Sequence, residues 1–512
     1  MLLQAKAVKA DHGYLSAGER VQVNASQLFD HQQGTLLSGG DVQLDVGQFL
    51  NEQGSLYAAS TIQIDATQDI KSVQSDIQSG GELLVRAAGS IHQGGRLLAA
   101  EQLTLQAQQL QHEEAQLQGH VVTLQSADGL HLRDSTLLSA TQVQLHSGGD
   151  SYLDETTVQA EDDVEFRAQA RADLKQSQLH SRQGSVLLDA QESHQQDSQL
   201  VAKEINLSLS NELKAEDGYW LAEEGLTIQT PTLQMTSMNT QADTLTIQSV
   251  GDVLHDQSVT VVDGELRIDA KNLSNHAGQL VSAKRLEVTA SGTVDNSAGL
   301  MISDGQMVLN QESLINTKGK LHAAENLTIQ ASQGIDSLDS EIVSAESIQI
   351  QAATKVQLGG VLFAEESLDV EGFEQRYDAA HLQAKEISLS AQGDLALTKS
   401  TLLAEEAASL VSGANLSLNE VQGQAQGVFT IDVEEQATLE QSDLQSVGGP
   451  LSIRAATQQH HQSTLLAEDI KLTAGQTLGA ETSQWVAHNN LDLAVGSLDL
   501  TCLLYTSPSP RD

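Results

Sequence analysis

The feature that most constrains the fold is a repeat of about 20 residues that recurs along the chain. Its two clearest copies are Leu321–Ala331 (LHAAENLTIQA) and, one repeat later, Ile342–Ala352 (IVSAESIQIQA). Each copy has an apolar lead residue, a polar corner, and a run in which apolar and polar residues alternate. That alternation is typical of a strand with one buried face and not of a helix.

The lead residue can be followed along most of the sequence. Its spacing stays constant to within one residue wherever the pattern is clear, and the pattern blurs between Thr240 and Val259. Since no proline-rich linker or block of charge interrupts the array, we predict one repeat domain over residues 1–501. The predicted lead residues are Leu15, Leu36, Leu56, Ile77, Leu97, Leu117, Leu137, Val158, Leu179, Leu200, Trp220, Leu280, Leu300, Leu321, Ile342, Leu362, Leu382, Leu402, Leu444 and Leu465.

A repeat of this length has to bury its apolar face against the copies before and after it. Three short strands and their corners use about 20 residues, which is the length of one coil of a parallel β-helix. We therefore predict an all-β fold, a right-handed parallel β-helix (β-solenoid) of about two dozen coils of roughly 20–21 residues, with Val42, Leu44 and Val46 among the inward residues. The main alternative at this period is the leucine-rich repeat. It needs an inward Asn or Cys where this chain usually has Ala.

Several copies meet at an Asn-x-x-Gly sequence, of which Asn51 and Gly54 are the first example. Both residue types tolerate a left-handed backbone, so the motif predicts a tight corner. With the alternating runs that follow, these copies resemble the haemagglutinin repeats of filamentous-haemagglutinin-like exoproteins over about Leu15 to Asp492. The chain departs from that pattern in being rich in Gln and in often replacing the junction Asn. The other pairs are Asn275 and Gly278, Asn296 and Gly299, and Asn316 and Gly319.

The resemblance implies a protein of bacterial two-partner secretion, exported through an outer-membrane transporter and acting at or beyond the surface of a Gram-negative-type cell. It implies a structural stalk of a secreted adhesin or haemagglutinin, with a glycan or protein of a host or neighbouring cell as possible ligand. An alternative is the stalk of a contact-dependent inhibition protein that delivers a toxin. A polysaccharide-acting β-helix enzyme is a third interpretation, although such enzymes need polar residues converging between loops of unequal length and these copies are uniform.

Composition limits the partners. A formal net charge of −43 argues against binding to nucleic acid or to an anionic membrane surface. No apolar run reaches the length that spans a membrane as a helix, and the single cysteine excludes an intrachain disulfide. The last stretch of the chain, Cys502–Asp512, departs from every upstream pattern and resembles the translation of a sequencing adapter. We expect residues 502–512 to be non-native, and the repeats to be an internal segment of a larger exoprotein.

No motif of catalysis or cofactor binding is present. The sequence lacks the glycine-rich nucleotide loops, the zinc-protease motif and the nucleophile elbow, so we predict no catalytic, cofactor-binding or metal-binding residues and no enzyme activity. His112 is followed by two glutamates but by no second histidine at zinc-binding spacing. The pair His460–His461 is expected to lie at a solvated corner. Trp220, beside Tyr219, is expected in the core because it takes a lead position.

An acidic residue lies four positions after the lead in consecutive copies. On a β-helix these carboxylates would form a column rising about 4.8 Å per coil. Two unit charges at that distance repel by roughly 0.9 kcal/mol in bulk water, and Ca²⁺ could relieve the repulsion through its preference for oxygen ligands. The other interpretation is a solvated edge that keeps the fold soluble. The column would contain Glu325, Glu346, Glu366, Glu386 and Glu406.

Overall fold

The computed structural model describes residues 1–501 and the backbone of residues 504–506, which fold as a parallel β-solenoid of about 25 turns. The all-β prediction is confirmed, and the described residues contain no helix. The chain divides into two compact units, unit 1 from Met1 to Gly251 and unit 2 from Asp252 onward. That residues 1–501 form one domain stays a prediction. Apart from the backbone of 504–506, the predicted non-native tail lies outside the described residues.

Unit 1 consists of short strands joined by tight corners, and some strands run on through a corner. Its strands are β1 (Leu2–Lys9), β2 (Tyr14–Ala17), β3 (Arg20–Asp30), β4 (Thr35–Ser38), β5 (Asp41–Leu50), β6 (Ser55–Ala58), β7 (Ile62–Ala66), β8 (Ile70–Ser79), β9 (Leu83–Ala87), β10 (Ser90–Ala99), β11 (Gln102–Arg133), β12 (Thr136–Ser147), β13 (Ser151–Asp154), β14 (Thr157–Ala160), β15 (Val164–Ala168), β16 (Ala172–Lys175), β17 (Gln178–Ser181), β18 (Ser185–Gln196), β19 (Gln199–Glu216), β20 (Tyr219–Gln229), β21 (Thr232–Thr236) and β22 (Asn239–Gln248).

Unit 2 is built in the same way. Its strands are β23 (Asp252–Asp256), β24 (Val259–Val262), β25 (Glu265–Ala270), β26 (Asn272–Ser274), β27 (Gln279–Ser282), β28 (Arg285–Ala290), β29 (Thr293–Asp295), β30 (Leu300–Ser303), β31 (Gln306–Gln311), β32 (Ser313–Ile315), β33 (Lys320–Ala323), β34 (Leu327–Ala331), β35 (Ile335–Ser344), β36 (Ile348–Ala352), β37 (Lys355–Ala364), β38 (Ser367–Gly372), β39 (Glu374–Ala391), β40 (Leu395–Thr398), β41 (Thr401–Ser412), β42 (Leu416–Asn419), β43 (Gln422–Ala425), β44 (Phe429–Val433), β45 (Gln436–Glu440), β46 (Asp443–Ser446), β47 (Pro450–His461), β48 (Thr464–Glu481), β49 (Gln484–Thr501) and β50 (Leu504–Thr506).

One turn contains three strands, as β27, β28 and β29 show. Each pairs in parallel with its counterpart in the next turn, β27 with β30, β28 with β31 and β29 with β32. Alternate side chains point inward, and the predicted inward residues Val42, Leu44 and Val46 of unit 1 are all buried. Each fully buried side chain of this size contributes about 1.5–3 kcal/mol through the hydrophobic effect. The three-stranded coil predicted from the repeat length is therefore confirmed.

Within each unit the lead residues form an inward column, with one correction. Leu280 pairs with Met301, and Met301 pairs with Leu321, so the predicted lead Leu300 is wrong. Met301 is buried, whereas Leu300 is only half-buried. The physical reason is the corner, because the inward residue is the second one after its glycine, as in Gly299-Leu300-Met301.

Polar or small residues occupy the lead column where the sequence pattern blurs. Thr240 pairs with Trp220 in unit 1, Thr260 pairs with Leu280 in unit 2, and both threonines are buried. In the gap between the predicted leads Leu402 and Leu444, the lead residue is Gly423. A Cβ there would lie 2.8 Å from Cδ2 of Leu444 and 3.0 Å from the Phe429 ring, because these two side chains already fill the volume.

Candidate functional site

The repeated geometry of unit 2 centres on an internal ladder of asparagine side chains. Asn275, Asn296 and Asn316 are fully buried at successive corners. The Nδ2 of Asn275 donates to Oδ1 of Asn296 at 2.7 Å, and Nδ2 of Asn296 donates to Oδ1 of Asn316 at 2.7 Å. His255 stands at the start of the ladder, and the Oγ of Ser337 accepts its last amide hydrogen bond at 3.0 Å. Every amide therefore accepts from the previous turn and donates to the next.

His255 is the donor that begins this ladder. Its Nδ1 lies 2.9 Å from Oδ1 of Asn275, whose own Nδ2 is used toward the next turn. Nδ1 must therefore carry the proton, which leaves Nε2 to accept a hydrogen bond from Oγ1 of Thr260 at 2.8 Å. Burial lowers the pKa of His255 to about 4, so the neutral imidazole that this arrangement needs is the form present at neutral pH.

Unit 1 has a shorter ladder of the same design. The Nδ1 of His31 lies 2.8 Å from Oδ1 of Asn51, and Nδ2 of Asn51 donates to Oγ of Ser72 at 3.1 Å. Hydroxyl groups continue it, because Oγ of Ser72 donates to Oγ of Ser75, which also accepts from Nε2 of Gln93. Burial also lowers the pKa of His31. Sequence reasoning missed both ladder histidines, although each lies one repeat before its asparagine.

The glycine of the Asn-x-x-Gly motif is required by space and not by backbone conformation. A Cβ on Gly299 would overlap the carbonyl oxygen of Asn275 and Oδ1 of Asn296. The left-handed residue of the corner is instead the one between Asn and Gly, such as Ala298 with φ of 54°. The expectation that Asn and Gly adopt the left-handed conformation is therefore wrong. In the other motif copies the left-handed residues are Gln53, Ala277 and Lys318.

Two further buried histidines lie in the same inward column. His112 follows Gln93 in register, and His460 lies between Leu439 and Ala480. Neither ring nitrogen of these two histidines has a hydrogen-bond partner. Burial is the main cause that lowers the pKa of His112 to about 3 and the pKa of His460 to about 4.

The prediction of a solvated corner for both members of the His460–His461 pair is wrong for His460. Its ring packs edge-on against Trp485, with ring centroids 5.5 Å apart. His461 is half-buried on the outer face, and its Nδ1 lies 3.3 Å from a carboxylate oxygen of Glu481. The two rings point to opposite faces because neighbouring residues of a strand alternate, and this alternation keeps them from sharing a metal ion.

The two tryptophans belong to the core. Trp220 is fully buried at its lead position, and its Nε1 donates to Oε1 of Gln195 at 3.0 Å, which confirms the core interpretation. Trp485 is also fully buried. Neither ring can therefore serve as an exposed stacking platform for a sugar.

The predicted acidic column lies on exposed corners of successive turns. The backbone N–H of Glu366 donates to the carbonyl of Glu346 at 2.9 Å, and that of Glu386 donates to the carbonyl of Glu366 at 3.0 Å. Two carboxylates of the column have partners: Glu346 accepts a hydrogen bond from Nδ2 of Asn326, and the charge of Glu366 is balanced by Lys385. At Glu406 the register shifts, so that Glu386 faces Ala407. Glu325 begins the column, one turn before Glu346.

A second acidic stack, which the sequence analysis missed, lies at the left-handed corners of unit 1. Glu114, Asp134 and Glu155 occupy this position in three successive turns, each with φ near 50°. A hydrogen bond with Asp134, reinforced by its charge, raises the pKa of Glu155. Its signal in the sequence is an acidic residue that recurs once per repeat.

In the part of the chain that the structure describes, no group of three or more His, Cys, Asp or Glu side chains is arranged to hold a metal ion. Residues 1–501 and 504–506 also contain no helix long and apolar enough to cross a membrane. Calcium binding by the acidic column stays a hypothesis from the sequence.

Comparison with known proteins gives one family. The family model described as Haemagglutinin repeat matches residues 13–86, 76–213, 261–331, 329–420 and 446–507. These ranges include all four Asn-x-x-Gly corners and therefore every asparagine of the two internal ladders. No curated protein and no solved structure matches the chain.

Proposed function

Because the chain belongs to the haemagglutinin-repeat family, we propose that it is a structural stalk segment of a large secreted bacterial adhesin. Haemagglutinin repeats in a β-solenoid fit an adhesin-like filament. Beyond the family and the fold, we propose that the protein adheres to a glycan or protein on a host or neighbouring cell.

The observation that carries the proposal is the internal continuity of the turns. Successive turns of a unit are joined by parallel strand pairing and by the buried column, and in unit 2 also by the amide ladder from His255 to Ser337. Each turn buries its apolar face only against its neighbours, so length can increase without a new core. Such a design provides a scaffold that presents a surface. We propose that the chain has no enzyme activity.

The family also suggests the route to the cell surface. We propose export through an outer-membrane transporter of two-partner secretion, with the chain secreted or retained at the surface of a Gram-negative-type cell. We also propose that residues 1–501 act as one repeat domain, and that residues 502–512 are non-native. The chain would need no bound cofactor, because the turns are held together by their own side chains and backbone.

Surface display tests the adhesive role. The full chain is anchored on a non-adherent Gram-negative cell, and attachment to epithelial cells and to neighbouring bacteria is counted. An unrelated β-solenoid of similar length serves as the control. We expect attachment above the control, and attachment equal to the control would contradict adhesion. That negative result would favour the alternative in which the stalk presents a toxin.

Pulling single molecules tests the stalk role separately. One turn of about 20 residues releases about 65–70 Å of extended chain. A solenoid in which each turn contacts only its neighbours should therefore lengthen in small multiples of this step. Release of a whole unit in one event at low force would contradict a stalk that bears load turn by turn.

A further inference from the structure

In unit 2 the first strand of each turn carries apolar residues on its outer side. In β30, Leu300 and Ile302 point outward, and the same two positions of β37 hold Val361, which is 40% exposed, and Phe363. Strand register aligns these positions into two outward columns, which we call the first face. The columns are Val259, Gln279, Leu300, Lys320, Glu341, Val361, His381 and Thr401, and Val261, Val281, Ile302, His322, Val343, Phe363, Gln383 and Leu403.

Neighbouring outer faces of the same turns are polar. The strands β25 and β28, which are the second strands of two of these turns, point charged side chains outward. Scattered apolar residues are normal on a protein surface, but a continuous apolar strip is typical of an interaction site. The first face is therefore the part of unit 2 most suited to a protein partner. The outward charged residues of β25 and β28 are Glu265, Arg267, Asp269, Arg285 and Glu287.

The first face also carries almost no net charge. Lys320 and Glu341 are its one lysine and its one carboxylate, and Nζ of Lys320 lies 2.8 Å from Oε2 of Glu341. Nε2 of His322 lies 3.0 Å from the other oxygen of the same carboxylate. A chain with a formal net charge of −43 repels its own copies, but two copies that meet through this face bring no excess of negative charge into contact.

The spacing of the turns selects among partners. The first face repeats at about 4.8 Å, the distance between neighbouring strands. An α-helix repeats at about 5.4 Å, so it falls out of step by about 0.6 Å per turn and by a whole turn over the length of the face. A stack of strands with the same spacing stays in step throughout. A second copy of this solenoid meets that condition at every turn.

The order of residues along the first face makes it complementary to itself. Consider a two-fold axis parallel to the strands that passes between the turns of Lys320 and Glu341. Lys320 then faces the partner's Glu341, and Ile302 faces the partner's Phe363, because these residues lie at equal distances from the axis. Opposite charges meet and apolar residues meet, as a two-fold interface between identical surfaces requires.

We propose that unit 2 of one chain pairs with unit 2 of a second copy through the first face, with the two solenoids antiparallel. Eight turns at about 4.8 Å and four residues at about 3.3 Å give a face of roughly 38 by 13 Å, or about 500 Å² per copy. The pair would bury about 1,000 Å², which is the lower limit for a specific interface. We therefore expect a weak, reversible dimer. Pairing of two stalks needs no receptor, so the inference is independent of the adhesive function proposed above.

Sedimentation velocity of the full chain across the micromolar range tests the pairing. We expect the mass to rise from 54.6 kDa toward twice that value as the concentration increases. Ile302→Thr and Phe363→Thr should each raise the concentration of half-dimerisation by about tenfold, because each substitution changes two contacts of a symmetric pair. Val308→Thr is the matched control, since Val308 is a half-buried outward residue of the same turn on the second strand, β31.

Charge variants test the antiparallel arrangement. Lys320→Glu and Glu341→Lys should each weaken self-association by about tenfold or more, since like charges then meet twice across the axis. An equimolar mixture of the two variants should dimerise again, because every facing pair regains opposite charges. In a parallel pair each residue would face its own counterpart, and the single variants would associate as the wild type does. Circular dichroism melting curves check that each variant is folded.

Several results would overturn the proposal. They are a mass of 54.6 kDa at every concentration, or dimerisation that Ile302→Thr and Phe363→Thr change no more than Val308→Thr does. Wild-type association of both charge variants, or no association in their mixture, would also refute the antiparallel pair. A monomer that floats with phosphatidylcholine vesicles, and loses this binding in Phe363→Thr, would assign the first face to a lipid surface and not to a second copy.

Discussion

Replacing Asn296 by alanine should open the solenoid locally, because this residue is the centre of the ladder in unit 2. The substitution removes the acceptor of Asn275 Nδ2 and the donor to Asn316 Oδ1, both at 2.7 Å. Asn316 Oδ1 would lose its donor, at about 1–3 kcal/mol, whereas Asn275 Nδ2 would keep longer hydrogen bonds to the carbonyls of Gly278 and Leu300 at 3.3 and 3.4 Å. We therefore expect a loss of about 1–3 kcal/mol in the free energy that holds these turns closed.

Hydrogen–deuterium exchange is the suitable measurement, since a solenoid need not unfold as one cooperative unit. The backbone N–H groups of residues 296 and 316 donate to the carbonyls of Ile315 and Asp336 and report the opening of these turns. A loss of about 2 kcal/mol corresponds to exchange about 30-fold faster. Asn310→Ala is the matched control in the same unit, because Asn310 is half-exposed and its side chain makes no ladder bond.

Asn296→Asp separates the hydrogen bond from the loss of volume. The carboxyl group keeps the shape of the amide, but an ionised oxygen would face Oδ1 of Asn316. This variant should be destabilised at pH 7 and partly rescued near pH 4, where a protonated carboxyl can donate. If Asn296→Ala and Asn296→Asp change exchange no more than Asn310→Ala does, the ladder contributes nothing to stability and our reasoning is wrong.

Two further predictions concern the corner glycine and a buried histidine. Gly299→Ala should destabilise unit 2 by about 1–3 kcal/mol, because the new Cβ would overlap the carbonyl oxygen of Asn275. Gly475→Ala is the control and should have no such effect, because the space around its new Cβ is open. Equal urea midpoints for the two variants would contradict this prediction. His460 stays neutral in the fold to a pKa of about 4 but binds a proton near pH 6.5 when unfolded, so its stabilising contribution is complete above pH 6.5 and falls by about 3 kcal/mol on acidification to pH 4. Melting curves of His460→Leu should lose this share of the pH dependence, while His255 and His112 keep theirs, and those of His461→Leu should retain all of it. The same pH profile in both variants would refute the assignment.

Because the sequence is repetitive, much of this structure could be predicted from it. The alternation in Leu321–Ala331 and its return at Ile342–Ala352 predicted the strands, the inward face and the pairing of successive turns. The alternation of apolar and polar residues is a local property that can be read from one copy. The constant interval between copies indicates which residues of successive turns will stack on each other. The same two properties, together with the Asn-x-x-Gly corners, indicated the family.

The sequence could not assign roles within a corner. The motif predicted a left-handed backbone at Asn296 and Gly299, yet the left-handed residue is Ala298. The asparagine is needed for its hydrogen bonds in the ladder, and the glycine is needed because a Cβ would have no space. Leu300 fits the apolar period, but the distance from Gly299 turned Met301 inward. These outcomes depend on how one turn lies on the next.

The enclosed polar groups show the same division. From composition alone, Gln311 is one of many glutamines that a polar surface would accommodate. Only the stacked turns show that Gln311 occupies a column of small residues, buried and unpaired beside Gln351. The sequence by itself determined the solenoid, since a strict period fixes which residues stack on each other. The tertiary structure decided which polar groups are enclosed, because burial depends on side chains that lie a full turn away in the chain.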